Sequence, residues 1–213
     1  MPSATGPPEP EPLPPEAFRG LIRKALPAFS VDLTDLQQQR LARFLAELDS
    51  WRRRVNLTGR LSSEDLVAHT LESSVGAALL PPTGAVVDVG TGGGFPGVPL
   101  AILRPDLSVT WLEPREKRAA FLRHVARALA VENAVVQAAR ARDLPDAGFH
   151  FATSRAVGIE ALEPVRFLKP GGGLLLWTTA ARAAGTAPEN FALESVLPIP
   201  LSRERVVALY RHG

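Results

Sequence analysis

The chain has 213 residues, 46% of them hydrophobic, which is enough for one α/β domain with a sizeable core plus an extension. A formal charge of +2 demands no nucleic-acid partner, although arginines cluster at Arg52-Arg53-Arg54 and between Arg115 and Arg127, where local patches allow one. The absence of cysteine excludes disulfides, thiolate zinc sites and cysteine nucleophiles and fits a reducing cytoplasm; no metal site is expected.

Met1 to Pro15 carries seven prolines among acidic and small polar residues and reads as a disordered tail with no signal-peptide pattern. No apolar run reaches the roughly 18 residues of a membrane span. Apolar residues at helical spacing, such as Leu41, Phe44, Leu45 and Leu48, predict amphipathic helices over Glu16–Leu26 and Leu36–Trp51, the second capped by Thr34. A third helix starts at Ser62 or Ser63, with Glu64 and Asp65 in its first turn, and ends before Pro81-Pro82. Residues 16–82 therefore read as a helical cap ahead of a sheet domain over 83–213.

From Ala85 the period changes. Apolar strands at 85–89, 108–113, 134–138, 149–154 and 172–178 alternate with helices at 97–104, 115–130 and 159–168, the pattern of a doubly wound parallel sheet. Lys169-Pro170-Gly171-Gly172-Gly173 reads as a turn into the fifth strand, and segments near 192–197 and 205–210 as an antiparallel hairpin that finishes the sheet.

The chemistry concentrates in Asp88-Val89-Gly90-Thr91-Gly92-Gly93-Gly94-Phe95-Pro96-Gly97. Glycines after a buried strand let the backbone turn sharply and approach a ligand without a Cβ in the way. The stretch satisfies the dinucleotide pattern GxGxxG, and a turn without any ligand is the plain alternative. Asp88 shifts the reading, because a buried carboxylate two residues before the first glycine repels a pyrophosphate and suits a cationic, amine-bearing cofactor such as S-adenosylmethionine.

Glu113 lies 25 residues after Asp88, one strand-helix-strand unit on, where an acid accepts hydrogen bonds from ribose hydroxyls or else serves as a helix N-terminal acid. Ala141-Arg142-Asp143 follows the third strand, where adenine would cross the sheet edge; its arginine also reads as a solvated loop charge. Arg155, at the end of the fourth strand, reads as a group that orients a cofactor carboxylate or a phosphate, or as an exposed loop arginine.

Together these residues resemble the RsmG/GidB family of small-subunit rRNA guanine-N7 methyltransferases. Trp51 followed by Asn56-Leu57-Thr58 is similar to its Trp-x-x-x-x-Asn-Leu-Thr signature, and His69-Thr70-Leu71-Glu72-Ser73 to its His-x-x-Asp-Ser. Val87 to Pro99 resembles its glycine loop with Phe-Pro-Gly, Glu116-Lys117-Arg118 its helix start, and Ser154-Arg155-Ala156 its Ser/Ala-Arg-Ala. The resemblance implies a Rossmann-like class I S-adenosylmethionine-dependent methyltransferase, a doubly wound seven-stranded α/β sheet with an N-terminal helical extension. It also implies cofactor contacts at Gly90, Phe95, Ala141, Arg142 and Arg155, with Glu113 on the ribose. Asp88, Thr91, Gly92 and Gly94 complete the expected cofactor set.

Arg155 is the candidate catalytic residue, and Arg52, Arg53, Arg54, Asn56 and His69 are candidate contacts to 16S rRNA or a small ribosomal subunit precursor. Each has a structural alternative: a solvated face for the arginines, a cap on the following turn for Asn56, a satisfied helix histidine for His69. The chain departs from the family pattern at Trp177-Thr178-Thr179, where the family has Met-Lys-Gly, and at Arg142, where an acid is common.

A sulfonium methyl is already activated, so the protein must chiefly place an acceptor in line with it. Pyrimidine C5 methylation generally needs a cysteine, and exocyclic amino methylation an Asn/Asp-Pro-Pro-aromatic loop; the chain has neither. Guanine N7 carries an in-plane lone pair and needs no base to unmask it. The rival readings are a non-catalytic or altered-specificity RNA-binding relative, a protein-methylating enzyme of the same fold, and a nicotinamide-dependent oxidoreductase.

Overall fold

The computed structural model describes residues 11–146, 148–155, 166–185 and 187–213. The helix predicted over 159–168 lies largely outside the described residues, as does most of the proline-rich segment.

Helix α1 spans Pro15–Phe29, α2 Asp35–Trp51 and α3 Ser63–Val75. α1 begins on Pro15, whose missing N–H is no loss at a first helical position, and it runs past the predicted end at Leu26. Pro27 falls in its last turn, where it forfeits a single backbone bond while Phe29 beyond it is buried. The Thr34 hydroxyl accepts from Gln37 N at 3.2 Å and the Gln37 side chain accepts from Thr34 N at 2.9 Å, a reciprocal cap that fixes the start of α2. Ser62 and Asp65 do the same for α3 at 3.0 and 2.9 Å. The helix predicted to continue toward Pro81 stops earlier and tightens into a 3-10 turn over Gly76–Leu79. The backbone packs closely on β5 there: a Cβ on Gly76 would overlap the Trp177 ring.

Seven strands follow: β1 Gly84–Val89, β2 Leu107–Leu112, β3 Ala134–Gln137, β4 Phe149–Ser154, β5 Leu168–Thr179, β6 Phe191–Pro198 and β7 Arg205–His212. Their order is β3-β2-β1-β4-β5-β7-β6, parallel except where β7 pairs antiparallel with β5 and β6. Helices α4 Gly97–Leu103 and α5 Glu116–Ala128 connect β1 to β2 and β2 to β3, and a short α6 Ala180–Ala183 follows β5.

One expectation is corrected here. Strand β5 begins at Leu168, four residues before the predicted start at 172, so Lys169–Gly173 lies within the strand. The ladder absorbs the extra residues as a register shift opposite Phe149 and Phe151, with Gly171 at φ 72°. Glycine permits this locally, because a left-handed φ costs it nothing.

Alternation along the strands divides the core. Val86, Leu175 and Val207 face the cluster that α1 to α5 supply through Phe18, Leu45, Leu71 and Leu122, while Val87, Leu174 and Ala208 face Leu112, Phe167 and Tyr210. Central strands buried on both faces are what parallel pairing requires. The three N-terminal helices thus share a core with the sheet. Among the described residues no helix is long and apolar enough to cross a membrane.

The packing of α3 on β5 supplies a test. Gly76→Ala has ordinary helical backbone space but forces its methyl into the Trp177 indole, and overpacking of this kind destabilises by about 1–3 kcal/mol. Denaturant unfolding should register that loss; an unchanged midpoint would show that the indole has room to move.

Candidate active site

The glycine loop leaves β1 and is stitched to both neighbouring strands. Gly90 and Thr91 N–H groups donate to the Leu112 carbonyl at 2.9 and 3.2 Å, the Thr91 hydroxyl to the Asp88 carbonyl at 2.9 Å, and the Ser154 hydroxyl to the Val89 carbonyl at 3.1 Å. Gly90, Gly92 and Gly94 hold φ of 75°, 55° and 101°, a left-handed path closed to most side chains.

Two buried acids organise this loop from opposite sides. Asp88 points inward: it accepts from Thr153 Oγ1 at 2.8 Å on one oxygen and from Gly97 N at 3.0 Å on the other. Burial pushes its pKa up to about 6, against those hydrogen bonds. The sequence predicts a buried carboxylate at Asp88 within the cofactor set; the side chain is completely enclosed, and its two hydrogen bonds hold the ends of the loop. Glu113, at the end of β2, accepts from Gly92 N at 3.0 Å on Oε2 and from Arg115 N at 2.9 Å on Oε1. A carboxylate has about four acceptor positions, so two remain for ribose hydroxyls. Positive-φ glycines beside a carboxylate with spare acceptor capacity fit a nucleoside.

Arg155 leaves the end of β4 and is not the exposed loop arginine of the alternative reading. Its Nη2 meets Glu72 Oε2 at 2.5 Å, its Nη1 donates to the His69 carbonyl at 2.9 Å, and its Cζ lies 5.9 Å from the centroid of the Phe95 ring. Burial lowers its pKa from the ordinary value, opposed by the charge of Glu72. His69 meets Phe95 edge-on at 5.9 Å, and burial, followed by the charges of Arg155 and Arg205, lowers its pKa to about 4. It is therefore neutral at physiological pH.

The remaining predicted residues divide. Asn56 lies exposed and offers its carbonyl to Arg118 Nε at 3.0 Å, which brings the 52–61 segment against the glycine loop; the Leu57 carbonyl and Thr58 pack on Gly93. The arginine run is not one solvated face. Arg52 is bound to the buried Asp49 at 2.7 Å and to the Leu61 carbonyl at 2.5 Å, and Arg53 also reaches Asp49, at 3.7 Å. Arg54 is exposed. Ala141 is half-buried in a 3-10 turn after β3, beside an exposed Arg142 whose carbonyl accepts from Arg166 at 2.6 Å.

Glu72, Arg205 and Arg118 were not singled out as site residues from the sequence. Glu72 had a signal, since it sits in the His-Thr-Leu-Glu-Ser segment. Arg205 had none, because its partner Glu72 is 133 residues away.

Over residues 37–184 the chain matches the GidB family, rRNA small subunit methyltransferase G. The chain belongs to that family. It is 38% identical over 154 residues to a ribosomal RNA small subunit methyltransferase G of Halorhodospira halophila, covering 72% of this chain and 71% of the relative. A relative of the same name from Neisseria meningitidis is 31% identical over 199 residues, covering 88% and 95%. Among solved structures, a SAM dependent methyltransferase from Aquifex aeolicus superposes with a TM-score of 0.51 at 17% identity, over 94% of this chain and all of that one, a likeness of fold. The strand order and this likeness establish the Rossmann-like class I fold. Membership in the GidB family sets aside the nicotinamide reading.

Against the family's pattern, the acid of its histidine motif is here a glutamate, Glu72, and the strand-five lysine is Thr178, half-buried opposite Val206.

Asp88 makes stability depend on pH. Its pKa is raised in the fold, so the folded chain binds that proton more tightly than the unfolded chain, and this contribution falls as pH rises from about 4 to about 6. Asp88→Asn removes the group, while its side-chain amide can still meet both Thr153 and Gly97. Between pH 4 and pH 7 the wild type should therefore lose on the order of 3 kcal/mol relative to the asparagine variant in denaturant unfolding. Parallel pH profiles for the two proteins would contradict the raised pKa.

Proposed function

We propose that the protein transfers the methyl group of S-adenosylmethionine to N7 of a guanine in 16S rRNA, acting on the rRNA or on a small-subunit precursor in the cytoplasm. The observation that carries this is the pairing of the left-handed glycine path with Glu113, at one strand-helix-strand unit from Asp88, with a half-buried arginine at the end of β4 over Phe95 of the same loop. Family membership supports the rRNA substrate.

In this reading Glu113 takes the ribose hydroxyls, Gly90 to Phe95 pass beneath the cofactor, Ala141 and Arg142 border the adenine, and Arg155 orients the cofactor carboxylate or the target nucleotide. The cofactor supplies an activated methyl on a sulfonium. What the chain's own residues contribute is placement, worth several kcal/mol when donor and acceptor are held in line. Guanine N7 has no proton to lose, so a site whose histidine is neutral and packed against Phe95 suffices.

The helices of residues 16–82 act as the RNA-facing cap on a methyltransferase domain over 83–213. Because Arg52 and Arg53 are engaged by Asp49, the phosphate-binding charge falls to the exposed Arg54 and Arg60 together with Arg115 and Lys117 across the Arg118–Asn56 contact. Such binding weakens steeply with salt.

Thr178 in place of the family lysine supports a second reading, a relative that binds RNA without catalysis. Calorimetry separates the two, since an active enzyme binds S-adenosylhomocysteine at micromolar strength and a degenerate one does not. Within the catalytic reading, Glu113→Gln should weaken that binding by about tenfold, the loss of a charge-assisted hydrogen bond to ribose. An unchanged affinity would remove Glu113 from the site. The direct assay is purified protein with methyl-labelled S-adenosylmethionine and undermethylated small-subunit rRNA or particles. Label should appear as 7-methylguanosine; no transfer to either substrate, or label in another base, would overturn the proposal.

A further inference from the structure

Glu72 is a buried acid paired with two arginines, and nothing in the proposed reaction uses it. It is 1% exposed on α3 and faces two arginines from distant strands. Arg155 Nη2 meets its Oε2 at 2.5 Å. Arg205, from the first position of β7, spans both oxygens, Nη1 on Oε2 at 2.8 Å and Nη2 on Oε1 at 2.5 Å. A carboxylate withdrawn from water is costly unless charge and hydrogen bonds compensate it, and here two guanidiniums do so.

The backbone under it is fixed as well. The Glu72 carbonyl accepts from the Trp177 indole at 2.8 Å, and Gly76 one turn on packs against the same ring. Thr70, Ser73 and Ser74 return their hydroxyl protons to carbonyls of the preceding turn at 2.9, 2.7 and 3.0 Å, which orients the polar side chains of this buried stretch of α3 and leaves Ser73 Oγ free to accept.

We infer that Glu72 is a positioning residue that fixes the Arg155 guanidinium for methyl transfer, an inference that rests on Arg155 serving the reaction as proposed above. An arginine side chain has many rotamers and five donors. Here Glu72 takes Nη2, while the His69 carbonyl and Ser73 Oγ take Nη1 at 2.9 and 3.4 Å, which sets both the reach and the plane of the group beside Phe95. Glu72 itself is enclosed and meets no ligand; it acts through Arg155. Without its charge the enclosed Arg155 would face the more exposed Arg205 as a like charge with nothing between them, and Arg155 would leave its position. With it, the trio retains one surplus positive charge.

The alternative is purely structural: Glu72 ties α3 to β7 through Arg205 and Arg155 is incidental. A double-mutant cycle on the full chain separates them, with Glu72→Gln, Arg155→Ala and the pair, reading single-turnover methylation of undermethylated small-subunit particles, S-adenosylhomocysteine affinity and thermal melting. Glu72→Gln keeps shape and hydrogen bonding without the charge. It should melt cooperatively, bind the product cofactor within about threefold of wild type, and transfer methyl about a hundredfold more slowly, the scale of a small misplacement. The double variant should be no slower than Arg155→Ala, because the effect passes through that residue. Glu72→Asp, which keeps the charge on a shorter arm, should recover part of the rate and carries the cycle if the glutamine variant does not fold. A wild-type rate in Glu72→Gln, or losses that multiply in the double variant, would overturn the positioning role while leaving the role of Arg155 intact. A wild-type rate in Arg155→Ala would instead overturn the reading on which it rests.

Discussion

The site depends on one buried carboxylate. Asp88 ends β1, and its two oxygens tie that end to Gly97 at the start of α4 and to Thr153 on β4. A loop of several consecutive residues closes between those points, and the contact dictates its composition: a Cβ on Gly97 would lie 2.5 Å from Asp88 Oδ2. The charge is enclosed, so the same bonds that shape the loop compensate part of its desolvation. Glu113 then braces the loop from the opposite side through Gly92, leaving a backbone path between two acids. The negative field of both favours a cationic ligand.

Around this frame several guanidiniums are held in place. Buried acids claim three of them, Asp49 taking Arg52 and Glu72 taking Arg155 and Arg205, while Arg118 beside the glycine loop is held by the Asn56 carbonyl. Pairing fixes a long, flexible side chain at a defined place, which a solvated arginine cannot do. The arginines left exposed, such as Arg54 and Arg60, occupy the segment that Arg118 holds against the glycine loop. Under the proposed function fixed and exposed cations serve different purposes, the first geometry and the second attraction for a polyanion.

Much of this was legible in the sequence because the governing patterns are local. Strand alternation, the Thr34 and Ser62 caps and the glycine loop depend on residues within a few positions of one another, and β1, β2 and β4 fall within a residue or so of their predicted bounds. The misreadings share a cause, which is that long-range contacts override local signals. Lys169–Gly173 has turn composition, yet it is taken up within β5 as an irregularity between the Leu168 and Gly173 pairings with β4. Pro27 signals a helix end, yet burial of Phe29 carries α1 past it. Arg52-Arg53-Arg54 also reads as one solvated face, and only the fold reveals Asp49 beneath Arg52 and Arg53. Arg205 carries no motif at all; its role exists only because β7 inserts beside β5.

The central claim is that a preformed loop, braced by Asp88 from within and Glu113 from the side, is the cofactor site. A crystal structure of the protein with S-adenosylhomocysteine tests it most directly. The account predicts ribose hydroxyls on Glu113, the Asp88 bonds to Gly97 and Thr153 intact, and the ligand's amino acid end directed toward Arg155. A ligand bound away from Glu113, or a loop that breaks the Asp88 bonds to admit it, would contradict the account.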